Sequence, residues 1–135
     1  MKVIHTDDNT VEFLDEAGMT FMALMVHELN QVLKQNGVGN SGPRQDICSG
    51  FLFNFAYNID AGWFMQEDKK LFPKVCLAER LAPKGDANLG AVSTIHIPTD
   101  ATSWHEYASG VVSRYFEDDN ESVEGIRTGS YEDEN

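Results

Sequence analysis

The sequence predicts an α+β fold: an antiparallel sheet of two hairpins plus one strand, covered by about three helices. Several short stretches alternate in hydrophobicity as strands do, and longer ones repeat apolar residues every three or four positions as helices do. Regular patterning ends after Phe116. Because 135 residues match the commonest size of one domain, we expect a domain over residues 1–117 and a flexible acidic tail over residues 118–135.

The N-terminal third predicts a hairpin and then a helix. The β-prone runs Lys2–His5 and Val11–Leu14 flank a polar cluster of turn-forming residues. From about Glu16 to Asn36 the pattern takes the helical period, and Gly37 suits the left-handed position at a helix end. The predicted apolar face contains Ala17, Phe21, Met25, Leu29 and Val32, and the opposite face contains Thr20, Ala23, His27, Asn30, Gln31 and Lys34.

The stretch from Ile47 to Ile59 fits a helix better than a strand. Alternating aromatic residues allow a strand, but the stretch is long for one, and both helix boundary signals are present. Ser41 can cap the helix start with Pro43 in its first turn, and Gly62 stands at its end. One face of that helix is lined by Ile47, Phe51, Phe55 and Ile59.

The second half predicts a hairpin, a strand and a helix. Trp63–Gln66 and Leu71–Glu79 flank the polar turn 67–70, and Pro73 confines the second run to an edge or delays its pairing. Residues 81–88 read as a loop and 91–97 as a strand. Ser103 and Glu106 form a capping box before the last helix, whose apolar positions are Trp104, Tyr107, Ala108, Val111 and Tyr115.

The aromatic residues around positions 51–64 are more than one side of a helix can bury. The set contains Phe51, Phe53, Phe55, Tyr57, Trp63 and Phe64. Either the helix is central and surrounded, or part of its surface is buried in a dimer. Central burial is the simpler expectation, because a domain of this size needs a core.

Composition narrows the class of protein. The chain has 41% hydrophobic and 24% charged residues, as globular proteins do. The apolar run 19–26 is too short to span a membrane, and the N-terminus lacks the apolar stretch of a secretory signal. These features predict a cytoplasmic protein without a membrane partner. Cys48 and Cys76 lie in apolar sequence, far from metal-finger spacing, so we expect two buried, reduced thiols.

The net charge of −12 is unevenly distributed. Eight acids against Arg127 give residues 117–135 a charge of −7, which leaves −5 for the rest. Five of the ten basic residues fall between positions 69 and 84. This net charge disfavours direct nucleic-acid binding, since phosphate contacts supply most of that affinity. A bipolar molecule with an acidic tail and a basic hairpin is therefore expected.

No pattern indicates a catalytic nucleophile, a metal or a cofactor. The four histidines lack metal-ligand spacing, Cys48 has apolar neighbours that argue against a reactive thiol, and the glycines of residues 37–42 are not followed by a lysine as in a phosphate-binding loop. We therefore expect no cofactor and no metal.

The sequence favours a protein-interaction domain of the inhibitor, immunity or accessory type. It would bind a macromolecular partner, a basic protein for example, with electrostatic steering; a homodimer is an alternative. The predicted partner-binding residues are Glu117, Asp118, Asp119, Glu121, Lys69, Lys70 and Lys74. The alternative class is a small enzyme or ligand-binding domain whose site assembles from His96, His105, Glu106 and Asp60.

Overall fold

A computed structural model describes residues 2–5, 11–80, 92–98, 103–118 and 121–129. The mixed α+β class is confirmed. The elements are β1 (Lys2–His5), α1 (Val11–Gln35), α2 (Ser41–Ala61), β2 (Phe64–Gln66), β3 (Lys69–Leu71), β4 (Leu77–Arg80), β5 (Val92–Ile97), α3 (His105–Glu117) and α4 (Glu121–Glu124). The predicted loop 81–88 lies outside the described residues.

The three-stranded sheet is mixed rather than antiparallel. Strand β5 lies in the centre, with β1 parallel to it on one side and β4 antiparallel on the other. The predicted N-terminal hairpin is wrong, because residues 11–14 form the first turn of α1. Leu14 and Gly18, spaced four apart, are both buried. This burial extends the helical period of α1 towards the N-terminus.

The core lies among the three long helices, not between a sheet and helices as the sequence predicted. Its buried members are Met22 and Val26 of α1, Cys48, Leu52, Ala56 and Ile59 of α2, and Trp104, Ala108, Val112 and Tyr115 in and before α3. None of the buried residues of the described chain lies on a strand. Packing of the three long helices against one another is therefore what stabilises this fold.

Three interhelical contacts show the direction of the helices. Gly18 of α1 lies against the indole of Trp104 at the start of α3. At the other end, Asn30 of α1 donates to the Tyr115 hydroxyl of α3 at 3.2 Å and accepts from Arg44 of α2 at 2.8 Å. Helices α1 and α3 consequently run in the same direction, and α2 runs opposite to both.

The polar contacts of Asn30 correct the predicted faces of α1. Asn30 and Ala23 were expected on the exposed face but are buried, whereas Val32 of the predicted apolar face is exposed. The Arg44 guanidinium, also buried, donates further to the carbonyl oxygens of Val38 and Gly39. A buried amide is tolerated here because its hydrogen bonds are made within the protein.

Helix α2 confirms the helical reading, while its buried stripe differs from the helical face that the sequence indicated. Its N-cap position is Asn40 rather than Ser41, and its end at Gly62 is confirmed. The buried stripe consists of Arg44, Cys48, Leu52, Ala56 and Ile59. Of the face named from the sequence, Ile59 is buried but Ile47 and Phe51 are exposed, because the stripe beside them is the side of α2 that packs against α1 and α3.

The remaining boundaries are confirmed in part. Strands β2 and β3 form the predicted hairpin with a shorter turn, Glu67–Asp68, while β4 belongs to the other sheet. The last helix is confirmed, but its capping box is not. The N-cap residue is Trp104 rather than Ser103, and its side chain forms no capping hydrogen bond. Cys48 is buried as expected and Cys76 is exposed, which corrects its prediction; both are free.

The short helix α4 lies in the segment that was predicted to be tail. It contacts α1 and α3, and Val123 packs against the core. The division at residue 117 stays a prediction. Over the described ranges, no helix has both the length and the apolar character that crossing a membrane requires.

Candidate functional site

The outer side of α2 presents large apolar side chains to solvent. Because the buried stripe takes the other side of the helix, the bulkier residues Ile47, Phe51, Phe53 and Tyr57 lie outside it. Two ring pairs one turn apart are stacked: Phe51 with Phe55, with centroids 6.0 Å apart, and Phe53 with Tyr57, at 6.4 Å. These contacts order the rings without burying them.

The outer side of α2 leads directly into an exposed β-hairpin, residues 63–72, which we call the hairpin arm. Its two strands pair only with each other among the described strands. The arm exposes five large apolar side chains, Trp63, Phe64, Met65, Leu71 and Phe72. Lys74 closes its base by donating to the carbonyl oxygens of Ile59, at 2.8 Å, and Asp60, at 3.3 Å.

The tip of the arm carries charges of both signs. Glu67 and Asp68 form a two-residue turn with φ angles of 51° and 60°, the left-handed geometry that tight hairpins use. Lys69 and Lys70 follow the turn, and the ammonium of Lys70 lies 4.4 Å from the centroid of the Trp63 ring. This cation–π contact fixes the Trp63 indole at the base of the arm.

Together, the outer side of α2 and the hairpin arm form what we call the aromatic surface. It contains Ile47, Phe51, Phe53 and Tyr57 of α2 and Trp63, Phe64, Met65, Leu71 and Phe72 of the arm, each between 40% and 55% exposed. The sequence expectation of central burial is therefore wrong. Exposure of this many large apolar side chains on two consecutive elements is typical of an interaction site.

A histidine and a carboxylate meet at the edge of the aromatic surface. Oδ2 of Asp60, near the end of α2, accepts hydrogen bonds from the backbone N–H of His105 at 2.7 Å and from its Nδ1 at 2.6 Å. The side chain of Asp60 is 8% exposed and that of His105 is 29% exposed. The rings of Phe53 and Tyr57 contact the imidazole edge-on, with centroids 6.0 Å and 5.6 Å away.

The Asp60–His105 contact selects the tautomer of the neutral imidazole. A carboxylate only accepts hydrogen bonds, so Nδ1 carries the proton and Nε2 is the acceptor nitrogen of the neutral ring. Histidines that act as general bases have this arrangement: an acid orients one ring nitrogen, and the other nitrogen accepts the proton. The pair was anticipated by the sequence analysis, which named both residues.

A second carboxyl group lies nearby on α1. Asp15 accepts a hydrogen bond from the Tyr107 hydroxyl at 3.1 Å. Burial raises the pKa of Asp15, the Tyr107 hydrogen bond lowers it, and the charges of Asp60 and Glu106 raise it further. The hydrogen bond to Asp15, followed by the charge of that carboxylate, raises the pKa of Tyr107. The start of α3 is thus surrounded by three carboxyl groups.

Of the two other residues of the predicted enzyme site, His96 lies elsewhere and Glu106 lines a neighbouring groove. His96 of β5 pairs with Glu79 of β4 at 3.0 Å and contacts the Phe13 ring. Glu106 points to a groove of about 450 Å³ between α1 and α3, which Met19, Ala23 and Val111 also line. No group of three potential ligands suited to a metal ion occurs among the residues whose placement is described.

The predicted partner-binding charges are at opposite ends of α3. Lys69 and Lys70 belong to the hairpin arm and Lys74 to its base. Lys74 donates to the carbonyl oxygen of Asp60, whose carboxylate accepts from the first residue of α3. Glu117 and Asp118 are at its last turn, where Asp118 lies 3.7 Å from Arg114. Asp119 and the side chain of Glu121 lie outside the described residues. The structure therefore does not bring the two charged groups together.

Comparisons with protein-family models, with curated proteins and with solved structures find no match.

Proposed function

We propose that this chain is a protein-interaction domain that binds its partner through the aromatic surface. The observation that carries the proposal is the exposure of nine large apolar side chains on α2 and the hairpin arm. Isolated surface apolar residues are ordinary, but five of them in one short hairpin, directly after four more on the preceding helix, are not.

The energetics favour a covered surface. Fully burying a large apolar side chain is worth about 1.5–3 kcal/mol, so completing the burial of each half-exposed residue is worth about 1 kcal/mol. Trp63, Phe53 and Tyr57 belong to the residue types that dominate binding energy at interfaces. The summed free energy of burying these side chains exceeds the cost of immobilising a partner only if most of the aromatic surface is covered at once. The proposal therefore requires a partner that contacts both α2 and the arm.

Charge has a secondary role in this proposal. The ion pairs available on the surface are solvent-exposed, and such pairs contribute steering more than affinity. Binding of a basic partner by Glu117 and Asp118 stays a separate prediction, because these residues lie at the end of α3 remote from the arm.

Site-specific photo-crosslinking tests the proposal. A photoreactive phenylalanine analogue replaces Tyr57, or Phe72 in a second variant, and the protein is irradiated in cells that produce it. We expect a crosslinked protein product from both positions. The control carries the analogue at Val32, an equally exposed apolar residue on α1 outside the surface. Absence of a product at Tyr57 and Phe72, or equal products at Val32, would contradict the proposal.

A second candidate function is general-base catalysis by His105, which the Asp60–His105 geometry favours. We expect the chain then to accelerate hydrolysis of an activated ester such as p-nitrophenyl acetate, with a rate that falls to background in His105→Gln. His96→Gln is the matched control, because His96 is also paired with an acid. Equal rates for the two variants would exclude the catalytic role.

A further inference from the structure

Resting on the proposed function, we propose that the partner is a basic protein and that one of its arginine side chains binds a set of three rings, Phe53, Tyr57 and His105. We call this set the ring platform. The guanidinium stacks on the exposed ring of Phe53 or Tyr57 and pairs with a carboxylate beside it. This contact uses a single flank of α2 and the start of α3, without the hairpin arm.

Measured contacts place the three rings of the platform together. The Phe53 and Tyr57 rings are stacked, with centroids 6.4 Å apart, and the His105 imidazole lies edge-on to both, at 6.0 Å and 5.6 Å. Asp60 holds the imidazole from the other side through its two hydrogen bonds. Phe53 is 42% exposed and Tyr57 is 50% exposed. The platform is therefore ordered by its own contacts and still accessible to a ligand.

The faces of aromatic rings attract cations, and those of the platform have no cation of their own. Across the part of the chain that the structure describes, the only cation–π contact is that of Lys70 with Trp63. Arginine suits the platform better than lysine does. Its planar guanidinium is weakly hydrated and can stack on a ring while its N–H groups, which lie in the plane, bind a carboxylate.

Carboxyl groups outnumber cations around the platform. Asp60 contacts His105, and Glu106 is the next residue of α3 and is exposed. Burial raises the pKa of Asp15, and the charges of Asp60 and Glu106 raise it further, so all three carboxyl groups lie within electrostatic reach of one another. Among the described residues, Lys74 is the cation that contacts place at this end of α2. The local balance stays negative when Lys74 is counted.

Two carboxylates are available to pair with an arriving guanidinium. Asp46 is exposed and lies seven residues before Phe53, which puts it on the same flank of α2. Neither Asp46 nor Glu106 forms an ion pair with any other residue that the structure describes. The net charge of −12 attracts a basic partner from a distance, whereas it repels an acidic protein or a second copy of this chain.

Fluorescence anisotropy with labelled peptides tests the proposal on the full chain, in about 0.05 M salt. The probe is a tetra-arginine peptide, and the matched controls contain lysine or citrulline, a neutral isostere, in place of arginine. We expect the arginine peptide to bind at least about threefold more tightly than the lysine peptide, and the citrulline peptide to bind most weakly. Equal binding of the arginine peptide and either control, or no binding of the arginine peptide, would overturn the proposal.

Two leucine variants locate the binding. Tyr57→Leu removes one ring of the platform but keeps an apolar side chain, so it should raise the dissociation constant of the arginine peptide at least about threefold. Phe51→Leu is the matched control. Phe51 is also 50% exposed, but it lies on the other side of the buried residue Leu52 from Phe53, so its replacement should leave the constant nearly unchanged. Equal effects of the two variants would show that the peptide binds elsewhere and would also overturn the proposal.

The crosslinking experiment separates this inference from the proposed function. If Tyr57 and Phe72 capture a protein but the arginine peptide does not bind, the proposed function survives and the basic partner is wrong. If the peptide binds at the platform but neither position captures a protein, the arginine site stands and the wider interaction surface is wrong. Loss of the Tyr57 product when excess arginine peptide is added would support both.

Discussion

Asp60 in the last turn of α2 holds His105, the first residue of α3, through two hydrogen bonds to one carboxylate oxygen, at 2.6 Å and 2.7 Å. One of these bonds satisfies a backbone N–H that α3 cannot use internally. The negative charge also lies at the positive end of the α3 dipole. The contact therefore joins two helices and orients an imidazole at the same time.

Replacing Asp60 should weaken the fold. Asp60→Ala leaves the His105 N–H without its acceptor, and we expect the free energy of unfolding to fall by about 1–2 kcal/mol. Denaturant titration followed by circular dichroism measures the change. The control Glu16→Ala removes an exposed acid of α1 and should change stability by less than about 0.5 kcal/mol. Equal losses in the two variants would refute the capping role.

Two glycines in helix interiors should respond oppositely to alanine. A Cβ added at Gly18 would lie 2.4 Å from two indole atoms of Trp104, whose ring is 1% exposed and cannot move aside. Gly18→Ala should therefore destabilise the protein by about 1–3 kcal/mol. A Cβ at Gly110 meets nothing within 4 Å, so Gly110→Ala should stabilise it by about 0.5–1 kcal/mol. Thermal denaturation of the two variants and the natural chain measures both changes in stability.

Asp15 should make stability depend on pH. Its pKa in the folded chain is raised above 3.8, chiefly by burial, so the folded state binds this proton more tightly than the unfolded state. Its stabilising contribution is present below pH 3.8 and is lost as pH rises through the folded pKa. Asp15→Asn removes the buried charge while keeping an acceptor for Tyr107.

We expect Asp15→Asn to be more stable than the natural chain at pH 7, by less than about 1 kcal/mol because solvent screens a partly buried group. The difference should shrink as pH falls towards 4, which urea titrations at several pH values would show. A difference that is constant or grows on acidification would disprove the assignment.

The two thiols should differ in reactivity. Cys76 is exposed, whereas Cys48 is 1% exposed and burial raises its pKa. Ellman's reagent at pH 8 should modify one thiol per native chain rapidly and the second only on unfolding. Cys76→Ser should abolish the fast phase, and Cys48→Ser should retain it. Fast reaction of both thiols would show that the core opens at Cys48.

Local signals predicted much of the secondary structure but not which strands pair. Gly37 ends α1 with a φ of 89°, as a left-handed residue should, and the periodicity around Tyr107 and Tyr115 predicted α3. Residues 11–14 satisfy both a strand and a helical pattern, and only the burial of Leu14 in the helical core decides between them. The parallel pairing of β1 with β5 joins residues about ninety positions apart, which no local pattern reports.

The sequence indicated the residues of the candidate site but not which of them meet, because local patterns do not report contacts between distant residues. Asp60 and His105 were named together from their chemistry, but the 45 positions between them hide the distance. The aromatic excess around Phe51 and Trp63 was visible, and self-association was recognised as one explanation. Which side of α2 is buried depends on what α1 and α3 offer to it.

The sequence by itself determined the helices, the hairpin arm, the charge asymmetry and the surplus of aromatic side chains, because each follows from neighbours along the chain. Tertiary structure alone decided that Leu52 and Ala56 face the core while Phe51, Phe53 and Tyr57 face solvent. Helices α1 and α3 pack against one side of α2 only, and the core is closed by that contact. The rings on the rest of α2 are consequently left at the surface, where a partner can cover them.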